Sequence, residues 1–510
     1  MEVPLTVRDH IERAALVYGD RVGVVDEPDQ PAPSLGDVTY RELATLANAQ
    51  AARLDELGVG FGERVAIVSQ NAGRMLAGFY GVSGHGRVYV PVNFRLHAEE
   101  IRYIVEHSGA SMLLFDPELE DTLKAVDCAH KVRLGDDEGD VYLHDVEPRP
   151  WEPDEDATAT VNYTSGTTAR PKGVQMTHRM LWINAATFGW HTGVNDRDVY
   201  LHTLPMFHCN GWGMPYALTA MGVRQVVLRK VDGAEILRRV DAHDVTLMCG
   251  APAVVAAVLD AAAGWDGPIP GAGRTRIVVA GAPPPTQIIE RVETELGWEL
   301  IQIYGLTETS PLLTVNRTRA EWDALSVGER ASNLSRAGVP ALGVQLRVDQ
   351  HHEVLARSNH VLLGYWEQPE ATADAIPDGW FHTGDGGSID ADGYLTISDR
   401  KKDVIISGGE NVSSIEVEDR LFSHPAVSEV AVVGVPHDKW GETVKALVVL
   451  APDAEAGEDE LIAWCRDGLA HYKCPTSVEF RDELARTATG KLQKFKLRAP
   501  YWEGRERKVN

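Results

Sequence analysis

The stretch TATVNYTSGTTARPKGV at residues 158–174 decides how this sequence is to be interpreted. It begins with alternating apolar and polar residues, which is typical of a β-strand, and breaks at Thr164 into a loop rich in hydroxyls. Backbone N–H groups and hydroxyls of such a loop can donate to phosphate oxygens, and Gly166 allows close approach of the backbone. The stretch therefore predicts a phosphate-binding loop, although its spacing does not fit a Walker loop. The candidate phosphate contacts are Thr164, Ser165, Gly166, Thr167, Thr168 and Lys172.

Length and charge limit the classes of protein that the sequence can encode. At about 100–200 residues per domain, a chain of 510 residues predicts roughly two to four structural units. The 75 acidic and 49 basic residues give a formal net charge of −26, which repels nucleic acid and anionic membrane surfaces. A nucleic-acid partner is therefore not expected, and any anionic ligand must be held by local positive groups.

Cysteine usage and the N-terminus indicate the compartment. The five cysteines are scattered and contain no CxxC pair, so neither a zinc site nor a disulfide framework is expected. The N-terminal residues lack the basic region and apolar stretch of a signal peptide, and no run of about eighteen apolar residues follows them. We therefore expect a cytoplasmic protein without a transmembrane segment.

The order of predicted elements gives the fold class. Up to about residue 330, amphipathic helices alternate with short β-rich runs, which predicts a sheet with helical crossovers. Shorter β segments follow, and a compact unit of mixed helices and strands begins at Val404. The predicted class is α/β, with a large N-terminal domain of several subdomains over 1–399 and a small C-terminal α+β domain over 400–510.

A second motif contains residues suited to a nucleotide and a cation. IQIYGLTETSP at 301–311 offers an aromatic ring at Tyr304, a turn at Gly305 and an oxygen pair at Thr307 and Glu308. Magnesium is usually bound by one or two carboxylates together with substrate phosphates, so a single carboxylate suffices. As an isolated tripeptide, TET would only mark the start of a helix.

A third motif, GWFHTGD at 379–385, ends in Asp385 and is followed after fourteen residues by Arg400. A carboxylate accepts two hydrogen bonds at once, which suits Asp385 to a diol, and arginine supplies a fixed cationic fork. Taken singly, an aspartate in a turn and a surface arginine are unremarkable.

Two further motifs lie near the C-terminus. DRKKDVIISGGENVSSIEVE at 399–418 crosses the predicted domain boundary, and RTATGKLQKFKLR at 486–498 contains Lys491 behind a glycine. A mobile cation is valuable while two anions are brought together, which makes Lys491 a candidate for that task. A basic helix is predicted for the remaining positive residues of this segment, Lys494, Lys496 and Arg498.

These five motifs occur in the order found in the AMP-forming adenylate synthetases. Over nearly its whole length the chain resembles this superfamily, which comprises acyl-CoA synthetases, peptide-synthetase adenylation domains and firefly luciferase. Ala169 replaces the glycine that is usual in the signature loop, without removing a phosphate-binding group. The resemblance implies that Tyr304 packs on adenine, that Thr307 contacts the α-phosphate and that Glu308 holds Mg²⁺. The implied ATP and AMP contacts are the loop residues above with Gly281, Ala282, Pro283, Tyr304, Gly305, Asp385 and Arg400.

The resemblance also implies that the small domain moves. Lys402 matches the family's hinge residue, about which the C-terminal domain rotates between two half-reactions. Lys491 would reach the acyl carboxylate and the α-phosphate during adenylation. The channel for coenzyme A would be lined by Ser407, Gly408, Gly409 and Glu410.

The segment LPMFHCNGWGMPYA at 204–217 resembles the acyl-pocket region of medium- and long-chain fatty-acyl-CoA synthetases and of related short-acid ligases. His208 would be a mobile residue near the carboxylate, and Trp212 the wall or gate of the acyl tunnel, with a core aromatic as the alternative. No basic residue marks this segment, so an apolar acyl tail is favoured over a dicarboxylate. Gly250 and Ala251 would leave room in the pocket.

The predicted function is an acyl-CoA synthetase, an acid–thiol ligase. It would form acyl-CoA from a carboxylic acid, ATP and coenzyme A through an acyl-adenylate, with release of AMP and pyrophosphate. The implied catalytic residues are Lys491, Glu308, Thr307 and His208. Three alternatives stay open: an enzyme that loads a separate carrier protein, a luciferase-like oxygenase, and a non-catalytic regulatory homologue. The sequence fixes neither the acid nor the oligomeric state, for which a homodimer is one possibility.

Overall fold

The computed structural model describes residues 3–135, 141–164, 170–400, 403–407, 410–437, 440–487 and 492–503. Its strands, in chain order, are β1 (Val22–Val25), β2 (Asp37–Thr39), β3 (Arg64–Val68), β4 (Val88–Val92), β5 (Ala110–Phe115), β6 (His130–Arg133), β7 (Thr158–Thr164), β8 (Lys172–Thr177), β9 (Val199–His202), β10 (Arg224–Val227), β11 (Leu247–Gly250), β12 (Arg276–Val279), β13 (Glu299–Gly305), β14 (Leu312–Asn316), β15 (Val339–Pro340), β16 (Val344–Val348), β17 (Glu353–Ser358), β18 (Gly364–Tyr365), β19 (Phe381–Ile389), β20 (Leu395–Arg400), β21 (Ile405–Ser407), β22 (Glu410–Val412), β23 (Val427–His437), β24 (Gly441–Leu450) and β25 (Ser477–Phe480).

The α-helices connect these strands and cover the faces of the sheets. They are Arg8–Tyr18, Tyr40–Glu56, Gly73–Gly81, Ala98–Ser108, Glu120–Leu123, His178–Thr192, Met214–Ala220, Gly233–His243, Pro252–Ala262, Thr286–Arg291, Val327–Leu334, Pro369–Ala375, Ser414–Phe422, Glu458–Gly468 and Lys494–Arg498. Among the described helices, none combines the length and the apolar character needed to cross a membrane.

Two large sheets with parallel centres dominate the N-terminal part. One has the strand order β15-β14-β13-β12-β11-β9-β10-β1-β2, and the other β18-β8-β7-β4-β3-β5-β6. Antiparallel pairs occur at the edges, including β13 with β14 and β7 with β8. Parallel strands need helical crossovers, which place helices on both faces of each sheet. The predicted α/β class is therefore confirmed.

Helices packed between the two sheets form a shared core. Ile67 of one sheet and Val278 of the other belong to a single buried cluster that also contains Phe79. The Phe79 ring packs edge to face against Tyr89 and Tyr216, with ring centroids 5.1 and 5.5 Å apart. Because each buried aromatic side chain is worth roughly 1.5–3 kcal/mol, this layer fixes the two sheets relative to each other.

The C-terminal part is a small α+β unit. Among its described residues, β21 to β25 form one sheet, in which β23 and β24 pair antiparallel and β25 adds parallel to β24. The helices Ser414–Phe422 and Glu458–Gly468 cover this sheet and bury Val417, Leu421 and Leu461. The large and small parts agree with the predicted fold class.

The two parts contact each other close to the predicted boundary. Ser414 donates hydrogen bonds from its N–H and its hydroxyl to the Asp399 carboxylate. The backbone N–H of Thr286 donates to Asp419 Oδ1 at 2.9 Å. Phe422 packs against core clusters of both parts. The division at residue 399 and the movement of the small part stay predictions.

The segment Lys494–Arg498 forms a helix, so the predicted basic helix is confirmed, but two of its charges have acidic partners. Lys494 is largely buried and pairs with Glu418 at 2.8 Å, while Arg498 pairs with Asp403 at 2.9 Å. Lys496 is exposed. The local sequence shows only the positive charges, whereas their acidic partners lie on elements distant along the chain.

Candidate active site

Four parallel strands of one sheet end along the same edge. β9, β11, β12 and β13 are neighbours in that sheet, and they end at His202, Gly250, Val279 and Gly305. In open α/β sheets, ligands bind outside the carboxyl ends of the strands. The structure brings to this edge the predicted residues His208, Gly250, Ala251, Gly281, Ala282, Pro283, Tyr304, Gly305, Thr307 and Glu308.

A buried carboxylate joins the end of β13 to the third motif. Asp385 in β19 is 5% exposed and accepts a hydrogen bond from the Tyr304 hydroxyl at 2.8 Å. Its other oxygen lies 3.4 Å from Nε of Arg400, which faces Asp385 in the β19–β20 pair. Burial, and then the charge of Asp385, raise the pKa of the Tyr304 phenol well above its ordinary value, so the phenol stays protonated and donates. Three predicted nucleotide residues thus converge.

A second cluster surrounds Glu308. Tyr365 donates a hydrogen bond to Glu308 Oε1 at 3.1 Å, and Lys172 Nζ lies 4.7 Å from the centroid of the Tyr365 ring. Burial, and then the charge of Glu308, raise the pKa of the Tyr365 phenol, which keeps it a donor. The cluster joins the predicted magnesium residue to the predicted phosphate lysine. Tyr365 was not predicted, because it lies 57 residues from Glu308 in sequence.

The phosphate-binding motif is carried by a β-hairpin. Thr164 ends β7 and faces Lys172 at the start of β8, while residues 165–169 lie outside the described chain. The helix Ala98–Ser108 contacts both ends of this segment. The Tyr163 hydroxyl lies 2.8 Å from His107 Nδ1, and the Tyr103 hydroxyl donates to the Pro171 carbonyl at 3.4 Å. The predicted contacts Ser165, Gly166, Thr167 and Thr168 therefore stay predictions.

The residues after β13 form a short turn rather than an open loop. Thr307–Thr309 is a 3-10 turn, so the motif does mark a helical start as well as carrying candidate ligands. The predicted turn at Gly305 is wrong, because Gly305 is the last residue of β13 and pairs with Leu312 across a bulge. A Cβ at Gly305 would lie 1.6 Å from the Pro311 carbonyl oxygen, so close backbone approach explains this glycine.

His360 supports the same turn and was missed by the sequence analysis. Its ring is fully buried, and Nδ1 lies 2.9 Å from the Thr309 carbonyl. Burial lowers the pKa of His360, so the ring is neutral and Nδ1 donates its hydrogen to that carbonyl. The buried His360 side chain therefore holds the turn that carries Glu308.

The predicted acyl-pocket segment contains a run of left-handed backbone. Cys209, Asn210, Gly211, Trp212 and Gly213 have φ values of 47°, 52°, 59°, 61° and 75°. The left-handed conformation costs roughly 1–2 kcal/mol for each residue with a side chain, and such strain concentrates at functional sites. Surrounding contacts must therefore hold this turn.

Those contacts are buried amides. Asn210 donates to the Thr160 hydroxyl at 3.0 Å and accepts from Asn162 at 3.3 Å, and both partners lie in β7 ahead of the phosphate-binding loop. Asn184 donates to the Trp212 carbonyl at 3.2 Å. Trp212 is 4% exposed and belongs to the main core cluster, which agrees with the core aromatic of the alternative, and its role as a wall of the acyl tunnel stays a prediction. His208 precedes this turn and is half-buried.

The remaining predicted residues lie in the small unit. Ser407 ends β21 and faces Glu410 in β22, so the two predicted channel residues are paired. The hinge candidate Lys402, the channel residues Gly408 and Gly409, and the candidate catalytic Lys491 lie outside the described residues.

Glu308 is also suited to a cation. Its carboxylate is half-buried, one oxygen is occupied by the Tyr365 hydroxyl, and Lys172 lies beside the same ring. Within the described part of the chain the second oxygen accepts no hydrogen bond, and a carboxylate with one such oxygen, next to the predicted phosphate lysine, fits Mg²⁺, which takes few protein ligands and shares substrate phosphates.

Comparison with known families decides the classification. The model of the AMP-binding enzyme family matches residues 11–366, and that of the AMP-binding enzyme C-terminal domain matches residues 416–491. The chain belongs to the AMP-binding enzyme family. This confirms the resemblance drawn from the motifs, and the two matched segments correspond to the large and small parts of the fold.

Relatives in this family match along the whole chain. A 2-methylpropanoate–CoA ligase of Humulus lupulus is 37% identical, covering 97% of this chain and 95% of the relative. A 4-hydroxybutyrate–CoA ligase of Metallosphaera sedula is 36% identical, covering 96% and 93%. The structure of the Bacillus subtilis O-succinylbenzoate coenzyme A synthetase, in complex with ATP and a magnesium ion, superposes with a TM-score of 0.81 at 27% identity, covering 96% and 99%.

Proposed function

We propose that this AMP-binding enzyme, an AMP-forming acyl-CoA synthetase, activates a short monocarboxylic acid whose acyl tail carries no charge. The observation that carries the proposal is the place of the Trp212 segment, which follows β9 at the sheet edge that also bears Tyr304 and Glu308, where Trp212 would form an apolar wall. Two relatives that match nearly the whole chain are named for four-carbon acids, one branched and one hydroxylated. These names favour a short acid over the medium or long chains that the segment around Trp212 also resembles.

The chemistry explains why nucleotide and acyl residues must lie together. A carboxylate is a poor electrophile, because its oxygen is a poor leaving group. Attack of that oxygen on the α-phosphorus of ATP forms the acyl–phosphate bond and breaks the bond to pyrophosphate, leaving an acyl-adenylate. The enzyme must reduce repulsion between two anions during this step, which is electrostatic stabilisation.

The described residues have complementary roles in this step. Asp385 would accept hydrogen bonds from the ribose hydroxyls, with Arg400 beside it and the Tyr304 ring against adenine. Thr307 would contact the α-phosphate, and Lys172 the outer phosphates. When bound, Mg²⁺ neutralises phosphate charge, and Glu308 would hold it. His208, at the entrance to the left-handed turn, would approach the carboxylate.

The second step transfers the acyl group to sulfur. The thiolate of coenzyme A attacks the carbonyl carbon, the acyl–phosphate bond breaks, and AMP leaves with the electron pair. Ser407 and Glu410 would line the path of the thiol. Rotation of the small domain about Lys402 would remove Lys491 from the acyl-adenylate and bring this path to it. The cytoplasmic location and the possible homodimer stay predictions.

An acid panel tests the function and the substrate class. We expect pyrophosphate release with straight and branched acids of two to six carbons, and formation of the corresponding thioesters only when coenzyme A is added. Pyrophosphate release without a thioester would contradict the ligase function. Thioester formation that is fastest with dodecanoate or with a dicarboxylate would contradict the proposed substrate class while leaving the ligase function intact.

Replacement of Trp212 by alanine should shift the preference toward longer or bulkier acids. One methylene in an apolar pocket changes kcat/KM by roughly 10-fold or more, so the ratio of hexanoate to butyrate should rise by about that factor. Loss of a buried tryptophan also costs roughly 3–5 kcal/mol of stability, so Trp212→Phe provides a milder variant.

Trp190 supplies the control for this experiment. It is 78% exposed on the helix His178–Thr192, so Trp190→Ala should change neither the ranking of acids nor the unfolding midpoint. A folded Trp212→Phe variant that keeps the wild-type ranking of acids would show that Trp212 is only a core residue.

A further inference from the structure

We infer that Tyr365 is a positioning residue that keeps Glu308 and Lys172 apart and ready for the triphosphate. The inference rests on the proposed function. One side chain makes both contacts: its hydroxyl donates to Glu308 Oε1 at 3.1 Å, and its ring lies under Lys172 Nζ at 4.7 Å from the centroid. The carboxylate and the ammonium group therefore share a single neutral partner.

The backbone around Tyr365 is held on both sides. β18 pairs antiparallel with β8, which places Tyr365 opposite Val174. The Tyr365 N–H donates to the Thr372 hydroxyl at 2.9 Å, and the N–H of the next residue, Trp366, donates to the Gly173 carbonyl at 2.7 Å. The ring therefore occupies a fixed position relative to the hairpin that carries Lys172.

Glu308 is tied to the same short segment. Its backbone carbonyl accepts a hydrogen bond from Leu362 N–H at 2.7 Å, three residues before Tyr365. The side chain and the main chain of Glu308 thus both contact the segment that leads into β18. This double attachment fixes the carboxylate with one oxygen turned to the phenol. Among the described residues the other oxygen accepts no hydrogen bond, so it can face a cation.

Tyr365 would prevent the charges of Lys172 and Glu308 from neutralising each other. Lys172 and Glu308 carry opposite charges near one ring, and within the described residues the two do not form an ion pair with each other. A phenol can satisfy both at once, because its hydroxyl donates to an anion while its face attracts a cation. Without the ring between them, the flexible lysine side chain could approach the carboxylate and pair with it, and each charge would be lost to the phosphates or to the metal.

Two substitutions separate the two contacts. Tyr365→Phe removes the hydroxyl and keeps the ring, so it should raise the Mg²⁺ concentration needed for half-maximal ATP binding by roughly 10-fold and leave metal-free ATP binding unchanged. Tyr365→Leu also removes the ring, so it should additionally weaken metal-free ATP binding by about 5-fold or more. Isothermal titration calorimetry with ATP, with and without Mg²⁺, measures both effects without relying on turnover.

Control variants make the outcomes distinct. Tyr472→Phe alters an exposed phenol of the small domain and should bind ATP as the wild type does. Wild-type Mg²⁺ dependence in Tyr365→Phe, or equal weakening of ATP binding with and without Mg²⁺ in that variant, would overturn the inference. The variant Glu308→Gln distinguishes failure of this inference from failure of the proposed function. If it too leaves the Mg²⁺ dependence unchanged, Glu308 does not hold the metal, and the proposed role of the whole cluster is wrong.

Discussion

Replacing Asp385 by alanine is expected to lower kcat/KM for ATP in acyl-adenylate formation by roughly 10²–10³-fold, because two charge-assisted hydrogen bonds to a ribose diol would be lost. The carboxylate is buried, and its oxygens already face the Tyr304 hydroxyl and the Arg400 guanidinium. In Asp385→Ala, Tyr304 and Arg400 would both lose the carboxylate that they share. Acid-dependent exchange of pyrophosphate into ATP, measured over a range of ATP concentrations, checks the prediction.

Two variants control for damage to the fold. Asp385→Asn keeps the shape of the side chain and one acceptor oxygen, so its kcat/KM for ATP should lie between those of the wild type and of Asp385→Ala. Asp392 is exposed in the turn that joins β19 to β20, so Asp392→Ala should leave exchange unchanged. An Asp385→Ala protein with the wild-type unfolding midpoint and the wild-type KM for ATP would show that this carboxylate does not bind the nucleotide.

The elements of the large domain could be predicted from local pattern. The helix Tyr40–Glu56 begins where Thr39 and Glu42 form a capping box, with the Thr39 N–H donating to Glu42 at 2.8 Å. The runs RVAIVSQ and SMLLFD form β3 and β5, which are neighbours in one sheet. In these segments, capping residues and apolar periodicity act within a few residues, so the sequence alone contains the information.

Contacts between distant segments could not be predicted in the same way. Tyr365 reaches Glu308 because β18 pairs with β8, and a two-residue strand has no periodicity to recognise. Lys494 has the local sequence of a solvated residue, yet its partner Glu418 lies in another helix of the small domain. A charge is buried only if the fold supplies its partner, which depends on packing rather than on neighbouring residues.

The left-handed turn shows a different limit. The segment between β9 and the helix Met214–Ala220 is defined by positive φ values, which non-glycine residues such as Cys209, Asn210 and Trp212 rarely adopt. The turn persists because Asn210 is bonded to β7. Strain at non-glycine residues is maintained by tertiary contacts, so no propensity could have predicted it.

Replacing Lys491 by alanine is expected to slow acyl-adenylate formation by roughly 10²–10³-fold, because one preorganised charge contact to a transition state is typically worth that much. Lys491 lies outside the described residues, and its proposed role rests on the resemblance of the motif RTATGKLQKFKLR to that of the family. Rapid-quench measurement of acyl-adenylate, with the acid at saturation, follows this half-reaction directly.

The second half-reaction distinguishes a catalytic charge from a structural one. In the proposed role, Lys491 would be needed only while the carboxylate approaches the α-phosphate, so Lys491→Ala should convert supplied acyl-adenylate and coenzyme A to thioester at the wild-type rate. Lys496 is exposed in the following helix, and Lys496→Ala removes a charge of the same kind without affecting either half-reaction. If Lys491→Ala consumes supplied acyl-adenylate as slowly as it forms it, the lysine serves both steps and a role confined to adenylation is wrong. If Lys491→Ala forms acyl-adenylate as fast as Lys496→Ala does, Lys491 does not assist adenylation.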